Sequence, residues 1–519
     1  MSDVSTDPYL PPKKPSAPAE KPDTLGKIPQ PARLSRALGP VMAIAVVVGN
    51  VIGSGIFLKP GTIAADGGSF GLIISVWVVG GVLCILGALC FAELATMLPR
   101  AGGLYVYLRE AYGRPVAFLF GWTEFLIRVP GSIAALSVVF IGQLLYALNV
   151  GASPVVEVAL VAVVIAGLAF INILGVVWGG WMQLGTTAIK VGSLALVALL
   201  PLLALPFVPG FNAANYATTV TPKSSLLSEQ LAAVLIAVMW AYNGWHGITP
   251  LAEEVRRPRR NIPIALFGGI GILIALYLAA NFAYHGVLSM EEVQAVGVRN
   301  LNEGGQLVKS TVAADMLKRL IGPVGGVLIA GTIMCSVFGA INSNLLQGPR
   351  ITFAMGRDGV FFRGLGRVHA NFRTPAAAIV VTSLMAVGLV VITAVGKHLV
   401  RDIDTSTFAS ELARRLVDGL KGGTIFDLLT NCVIFAASIF YTLAVMAVIV
   451  LRFRRPDLPR SYRTLGYPVV PVAFIVVYLW FLAQIFVDKP LEAQAGLAVI
   501  LLGLPVYYAF QMLHPRSDT

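Results

Sequence analysis

The segment VVVGNVIGSGIF, residues 46–57, places three glycines, an asparagine and a serine inside an otherwise apolar stretch. In a bilayer every backbone N–H and C=O group needs a hydrogen-bond partner, so spanning segments are normally unbroken helices. A helix-weakening run at this depth is tolerated where its freed polar groups face protein or a water-filled site, as in the broken helices of secondary transporters. Close packing is the alternative explanation, because small residues are common where membrane helices touch.

Composition places the chain among membrane proteins. Its 519 residues are 57% hydrophobic and 12% charged, with a mean hydropathy of +0.80. Apolar stretches of about 20 residues, the length that crosses a bilayer, recur along the chain and predict twelve spans. They lie near 40–65, 70–98, 115–148, 154–175, 180–206, 227–256, 261–286, 319–348, 375–396, 424–451, 468–487 and 492–511.

The remaining composition argues against several other classes of protein. Residues 1–35 are rich in Pro, Lys, Ser and Ala and lack an apolar core, which predicts a disordered cytoplasmic tail and not a signal peptide. Cys84, Cys90, Cys335 and Cys432 lie in apolar runs without the spacing of a metal site or a disulfide framework. No cofactor or metal is expected, and no motif is typical of an enzyme.

Basic residues are distributed unevenly between alternate loops. The loops after spans 2, 6, 8 and 10 are rich in arginine, whereas the opposite loops are short or mix basic with acidic residues. The positive-inside rule predicts that these loops and both termini are cytoplasmic, in a multi-pass plasma-membrane protein. The net charge of +12 then reflects topology and contact with the anionic lipid bilayer, and no nucleic-acid partner is expected.

A second interruption lies in span 6, where residues 239–247 read MWAYNGWHG. Spans 1 and 6 are five apart, which predicts two inverted repeats at about 40–206 and 227–451, with extra helices over 468–511. The N-terminus of the outer half of span 1 would offer free N–H groups to a carboxylate. The carbonyls that end the outer half of span 6 would attract a cation. Together they fit a free amino acid.

These segments resemble the L-type amino acid transporter (LAT) family of the APC (amino acid–polyamine–organocation) superfamily. The resemblance rests on GNVIGSGIF at 49–57, FAEL at 91–94, WAYNGW at 240–245 and RFRRPD at 452–457. It implies an all-α polytopic membrane protein with a LeuT-type 5+5 inverted repeat, two C-terminal helices and broken helices 1 and 6. A transporter domain over 36–512 would then move amino acids by alternating access, and no enzymatic activity is implied.

The resemblance also implies the site residues. The carboxylate is expected at the start of the outer half of span 1, the ammonium at the backbone of span 6, and the outer gate at Trp240. The predicted substrate-binding residues are Ile52, Gly53, Ser54, Gly55, Ile56, Met239, Trp240, Tyr242, Asn243 and Gly244.

Lys190 is the most informative intramembrane charge. It lies about ten residues into span 5 and therefore about 15 Å deep, at about 1.5 Å per residue. An ionisable residue at this depth is a functional hypothesis by default, the alternative being a structural tie between spans 1 and 8. In sodium-coupled members of the wider fold a cation occupies this region, and in LAT-like proteins a lysine amine replaces it. The resemblance therefore implies sodium-independent transport.

Three other charges are assigned gating or structural roles. Arg128 lies inside span 3, Glu93 lies near the inner end of span 2, and His246 lies in the second interruption. Glu93 is expected to pair with loop arginines. Histidine side chains ordinarily titrate near neutral pH. His246 and Lys190 are therefore the candidates for proton coupling in an alternative symport mechanism.

Two departures from the family shape the expected partners. The loop 149–153 has no cysteine, whereas animal LAT light chains use one there to tether a glycoprotein, so no heavy chain is expected and the resemblance favours a monomeric, prokaryotic-type transporter. Residues 397–423 form an external insert between spans 9 and 10. Neutral L-amino acids are the favoured substrates, carried by exchange or facilitated diffusion. The alternatives are a proton-coupled symporter and an amino-acid sensor that does not transport.

Overall fold

The computed structural model of the chain describes residues 34–204, 210–302, 311–405, 410, 413–414, 417–418 and 425–513. These residues form helices, turns and two isolated bridges, with no β-strand among them. Nearly all of the predicted tail and most of the predicted insert at 397–423 lie outside the described residues.

Eleven helices of the described residues are long and apolar enough to cross a bilayer. They are Pro40–Leu58, Phe70–Met97, Arg114–Leu148, Pro154–Leu174, Val176–Leu203, Pro258–Val287, Val324–Arg357, Ala376–Leu399, Val433–Arg454, Val469–Asp488 and Pro490–Leu513. A further apolar helix, Leu227–Tyr242, has 16 residues. The polytopic all-α fold is confirmed, whereas twelve complete spans are not. We number the helices 1 to 12 along the chain, so that Leu227–Tyr242 is helix 6.

The prediction of span 6 over 227–256 was wrong in its second half. The helix ends at Tyr242, and the chain continues through turns that include a single 3₁₀ turn, Thr249–Leu251. Tertiary contacts hold this exit segment, since the Gly102 amide donates to the Pro250 carbonyl at 3.1 Å. Its apolar residues are therefore buried against protein without forming a helix.

Short helices complete the connections between spans. Two of them, Pro60–Gly67 and Leu104–Tyr112, follow helices 1 and 2. Two more, Met290–Asn302 and Val312–Ile321, lie between helices 7 and 8.

Helix 1 lies at the centre of the bundle, in contact with helices 5, 7 and 8. In its most apolar stretch 67% of the residues are buried, against 22% in helices 4 and 12. Apolar side chains on the outer helices are stable in contact with lipid tails, so the low burial of helices 4 and 12 within the protein is typical of lipid-facing positions. The interrupted helix 1 therefore lies inside the protein, where its freed backbone groups can find partners.

The arginine-rich loops meet at one end of the bundle. Arg350 of helix 8 and Glu254 of the helix 6 exit segment are both fully buried and form two hydrogen bonds of 2.9 and 3.1 Å. Arg357 similarly pairs with Glu253. The segment before helix 1 is bound here too, because the Leu38 amide donates to the Glu254 carbonyl at 3.0 Å.

Candidate substrate site

The first half of the site is the break in helix 1. The N-terminal half ends at Val51, the helix resumes at Gly55–Leu58, and the Gly53 amide closes a tight turn onto the Val51 carbonyl at 2.7 Å. Within the described residues, the amides of 54–56 donate to no backbone carbonyl. The predicted break in helix 1 is confirmed, and its free N–H groups can bind an anionic oxygen.

The second half is the end of helix 6. Asn243 leaves the helical conformation, and Gly244 has a φ of +97°, a value that favours glycine. The Asn243 amide turns back to the Trp240 carbonyl at 3.1 Å and not to the Met239 carbonyl, which an α-helix would pair with it. This end offers carbonyl oxygens, which attract a cation.

Side chains hold the two breaks against each other. Asn50 donates to the Gly244 carbonyl at 2.8 Å and accepts from Gln347 of helix 8, also at 2.8 Å. The hydroxyl of Tyr277 on helix 7 lies 3.1 Å from the Val51 carbonyl and 3.0 Å from the Ala241 carbonyl. One buried tyrosine thus contacts a carbonyl at each break.

A cavity lies between the breaks, helix 3 and helix 8. Its volume is about 60 Å³. One water molecule needs about 10–15 Å³ of such volume, so the cavity has room for about four to six waters. Its lining residues are Asn50, Val51, Gly53, Ser54, Gly55, Arg128, Ser132, Ala135, Leu136, Trp240, Asn243, Gly244, Ala340, Asn344 and Val433.

Six of the ten predicted substrate-binding residues line this cavity. The other four, Ile52, Ile56, Met239 and Tyr242, do not line it. Tyr242 is fully buried behind the wall, where its ring contacts those of Trp77 and Tyr277.

Comparison of the sequence with models of known protein families identifies the family of this chain. The amino acid permease model matches residues 38–507, which is most of the chain. The chain belongs to the amino acid permease family. The predicted LAT-type membership of the APC superfamily is thereby confirmed, and so is the expectation of a transporter and not an enzyme.

Sequence alignments with curated relatives extend over nearly the whole permease. The serine/threonine exchanger SteT of Bacillus subtilis (strain 168) is 31% identical over 483 residues, 92% of this chain and 97% of the relative. The b(0,+)-type amino acid transporter 1 of Homo sapiens is 29% identical, covering 93% and 89% of the two chains. The large neutral amino acids transporter small subunit 2 of Mus musculus is 28% identical, covering 92% and 81%.

In this permease Lys190 lies directly behind the break in helix 1. Its ammonium donates to the Gly49 carbonyl at 2.7 Å and the Ile52 carbonyl at 2.8 Å, and 1% of the residue is exposed. The Ser336 hydroxyl lies 2.9 Å from the Ile52 and Gly53 carbonyls. Within the described residues no carboxylate pairs with Lys190. The carbonyls that the break releases are therefore satisfied by donors from helices 5 and 8.

Arg128 lines the cavity and pairs with a carboxylate, Glu124, that the sequence analysis missed. Helix 3 widens to one π-helical turn at Glu124–Arg128, and the Arg128 Nε lies 2.5 Å from both Glu124 oxygens. Both residues are buried. The signal was present in the sequence, because opposite charges four residues apart face each other on a helix.

The two remaining predicted charges lie away from the cavity lining. Glu93 accepts from Arg452 at 3.0 and 2.7 Å and from the Thr464 amide at 2.7 Å, so it pairs with an arginine at the C-terminal end of helix 10. His246 is buried against the rings of Phe91 and Tyr441. Their gating or structural roles remain predictions.

Proposed function

We propose that this permease carries small neutral L-amino acids across the membrane by alternating access, independently of sodium, as an exchanger or a facilitator. The observation that carries the proposal is the pair of helix ends that face one cavity. Free amides at Ser54 and Gly55, which line the cavity, suit an α-carboxylate, and the carbonyl end of helix 6, where Trp240 lines it, suits an α-ammonium. Trp240 in the cavity wall is the proposed outer gate.

The walls of the cavity support a small neutral side chain. The Arg128 guanidinium is paired with Glu124, so the charged residues of helix 3 present no net charge to a ligand. An unpaired charge on the substrate would have to be desolvated without compensation. The serine/threonine exchanger named among the relatives supports both a neutral substrate and exchange.

Lys190 supports sodium independence. Its ammonium occupies the carbonyl oxygens of Gly49 and Ile52, which would otherwise be available to a metal cation. A positive charge carried by the protein at this position removes the need for a cation from solution.

The arrangement of charges also supports the orientation and the partners. The arginine-rich loops meet at one end of the bundle together with the segment before helix 1, and the positive-inside rule makes this end cytoplasmic. With both termini cytoplasmic, the loop 149–153 faces outside, and it has no cysteine for a heavy-chain glycoprotein. The permease then works alone, as a monomer in the cell membrane.

The test is uptake of labelled amino acids by purified protein in liposomes, with and without unlabelled amino acid inside. A Cβ at Gly55 would lie 2.8 Å from the Ala241 Cα, so Gly55→Val should abolish uptake. Gly167→Val is the matched control, since a Cβ at this helix 4 glycine has nothing within 4 Å. Uptake by Gly55→Val at the level of Gly167→Val contradicts the placement of the site, and no uptake by the wild type contradicts the function.

Proton-coupled symport is the second candidate, because the buried Lys190 has no carboxylate partner among the described residues. Loss of the charge would weaken the hydrogen bonds that Lys190 donates to the Gly49 and Ile52 carbonyls, so protonation and the geometry of helix 1 would be linked. A pH step across the liposome membrane distinguishes the mechanisms. Symport predicts uptake that the step drives and that Lys190→Met uncouples, whereas exchange predicts uptake that requires internal amino acid.

A further inference from the structure

A group of arginines lies where helix 7 begins, and we call it the helix 7 arginine cluster. Its members are Arg256, Arg257, Arg259 and Arg260. All of them are exposed, and none forms an ion pair or a side-chain hydrogen bond with a described residue. Arg350 and Arg357, at the same end of the bundle, are instead paired with carboxylates. The positive charge of the cluster is therefore not neutralised by the part of the protein that the structure describes.

The length of helix 7 places the cluster at the level of the lipid headgroups. The helix spans Pro258–Val287 and has 30 residues. At about 1.5 Å per residue it is about 45 Å long. The hydrocarbon core of a bilayer is about 30 Å thick, and the headgroup regions extend it to about 40–45 Å. The first turn of helix 7 therefore lies beside the phosphate groups of one leaflet.

The face of helix 7 that follows the cluster is apolar and open to lipid. Ile264 lies one turn after Arg260 on the same face, and it is 40% exposed. Ile272, two turns further on, is 38% exposed, and a Cβ at Gly271 would have nothing within 4 Å. Uncompensated arginines beside an open apolar face match a ligand with an anionic head and an acyl chain. A soluble anion would match the arginines alone.

The cluster is also joined to helix 1 through the main chain. The Arg256 amide donates to the Leu38 carbonyl at 2.8 Å, and Leu38 lies just before helix 1. The next residue, Arg257, has a φ of +47° and begins helix 7. A ligand held by these arginines therefore binds next to the backbone that holds the start of helix 1.

We infer that the helix 7 arginine cluster binds the headgroup of an anionic phospholipid, whose acyl chain lies against Ile264 and Ile272, and that this lipid holds the segment before helix 1 in place. Guanidinium groups suit the headgroup because they form charge-assisted, bidentate hydrogen bonds with phosphate. A zwitterionic phospholipid offers the same phosphate, but its own cation offsets the attraction. The inference does not depend on which substrate the permease carries.

The first test is titration of the detergent-purified protein with phosphatidylglycerol, with the lipid-bound fraction measured by native mass spectrometry. Each arginine near an anionic headgroup contributes about fivefold in affinity, so the double variant Arg257→Gln/Arg260→Gln should bind about 25-fold more weakly. Arg363→Gln/Arg367→Gln is the matched control. These two arginines, between helices 8 and 9, are also exposed and unpaired among the described residues. The control should keep the wild-type affinity.

The second test is the hydrogen exchange of the main-chain amides of Leu38 and Arg256. Phosphatidylglycerol should slow their exchange more than phosphatidylcholine does, in the wild type and in the control variant. The Arg257→Gln/Arg260→Gln variant should lose this difference. Inorganic phosphate at the same concentration should have no effect, because it lacks the acyl chain.

Four results would overturn the inference. Equal affinity of the wild type for the two phospholipids does so without any variant, and an equal loss of affinity in both double variants would assign binding to overall charge. Binding without slower exchange contradicts the restraint on the segment before helix 1. Slower exchange with inorganic phosphate alone would assign the arginines to a free anion. Binding and exchange are measured without transport, so they are independent of the proposed function.

Discussion

Tyr277→Phe is the sharpest perturbation of the site, because it removes one oxygen atom from a fully buried ring. In the wild type this hydroxyl lies within hydrogen-bond distance of the Val51 carbonyl and the Ala241 carbonyl, one at each break. The ring itself stays in place against Trp77 and Tyr242. The variant therefore changes the polar connection between the breaks and not the packing around them.

The expected magnitude follows from the number of hydrogens. A phenol has one hydroxyl hydrogen, so it donates to one of the two carbonyls at a time. Its loss leaves the Ala241 carbonyl as a buried acceptor without this donor, at a cost of about 1–3 kcal/mol, whereas the Val51 carbonyl keeps its hydrogen bond from the Gly53 amide. Because both carbonyls belong to the breaks that form the site, we expect the cost to weaken substrate affinity, by about 5- to 150-fold at about 1.4 kcal/mol per tenfold.

The assay is the concentration dependence of counterflow uptake in liposomes, normalised to the amount of folded protein. Tyr284→Phe is the matched control: Tyr284 is on the same helix and fully buried, and its hydroxyl has no partner among the described residues. It should transport like the wild type. An affinity of Tyr277→Phe within about twofold of the wild type, or an equal loss in both variants, would refute the reasoning.

Three further substitutions test other parts of the structure. Gly244→Ala should stop transport, because its φ is +97° and a Cβ would lie 2.1 Å from the Asn50 Nδ2; uptake at the wild-type level would contradict this. Arg350→Met should lower the free energy of unfolding by about 3–5 kcal/mol, because it leaves Glu254 charged and unpaired in the interior. The loss should be measured as a lower Tm, which a second substitution, Glu254→Gln, should partly restore. Glu292 lies in the short helix Met290–Asn302, and a hydrogen bond from Arg319 lowers the pKa of its carboxyl group. This carboxylate therefore stabilises the fold above its ordinary pKa, and the stabilisation is lost as the pH falls. The Tm deficit of Glu292→Gln should accordingly be present at neutral pH and vanish in acid.

The two breaks were predictable because their residues interrupt apolar runs in an obvious way. Glycines, asparagines and a serine at bilayer depth have few structural explanations, so Gly55 and Asn243 could be placed at the site from the sequence. The Glu124–Arg128 pair was equally predictable from its spacing of four residues. Only the structure shows that Arg128 of this pair lines the cavity.

The connections between helices were not predictable. Tyr277 and Tyr284 are both tyrosines of one apolar helix, and only the structure shows that the first contacts both breaks. Likewise Asn344 and Asn281 bond in the same way to their own helices, and only one lines the cavity. Helix rotation and the positions of distant helices decide such differences, and neither is encoded in local periodicity.

The main-chain contacts before helix 1 constrain how the protein can move. The amides of Ala37 and Leu38 both donate to the Glu254 carbonyl at 3.0 Å, and the Arg256 amide donates to the Leu38 carbonyl at 2.8 Å. Any tilt of the N-terminal half of helix 1 must carry residues 254–256 with it or break three backbone hydrogen bonds. The start of helix 1 and the exit segment after helix 6 thus form one mechanical unit, and spectroscopic labels placed on either of them should report the same displacement.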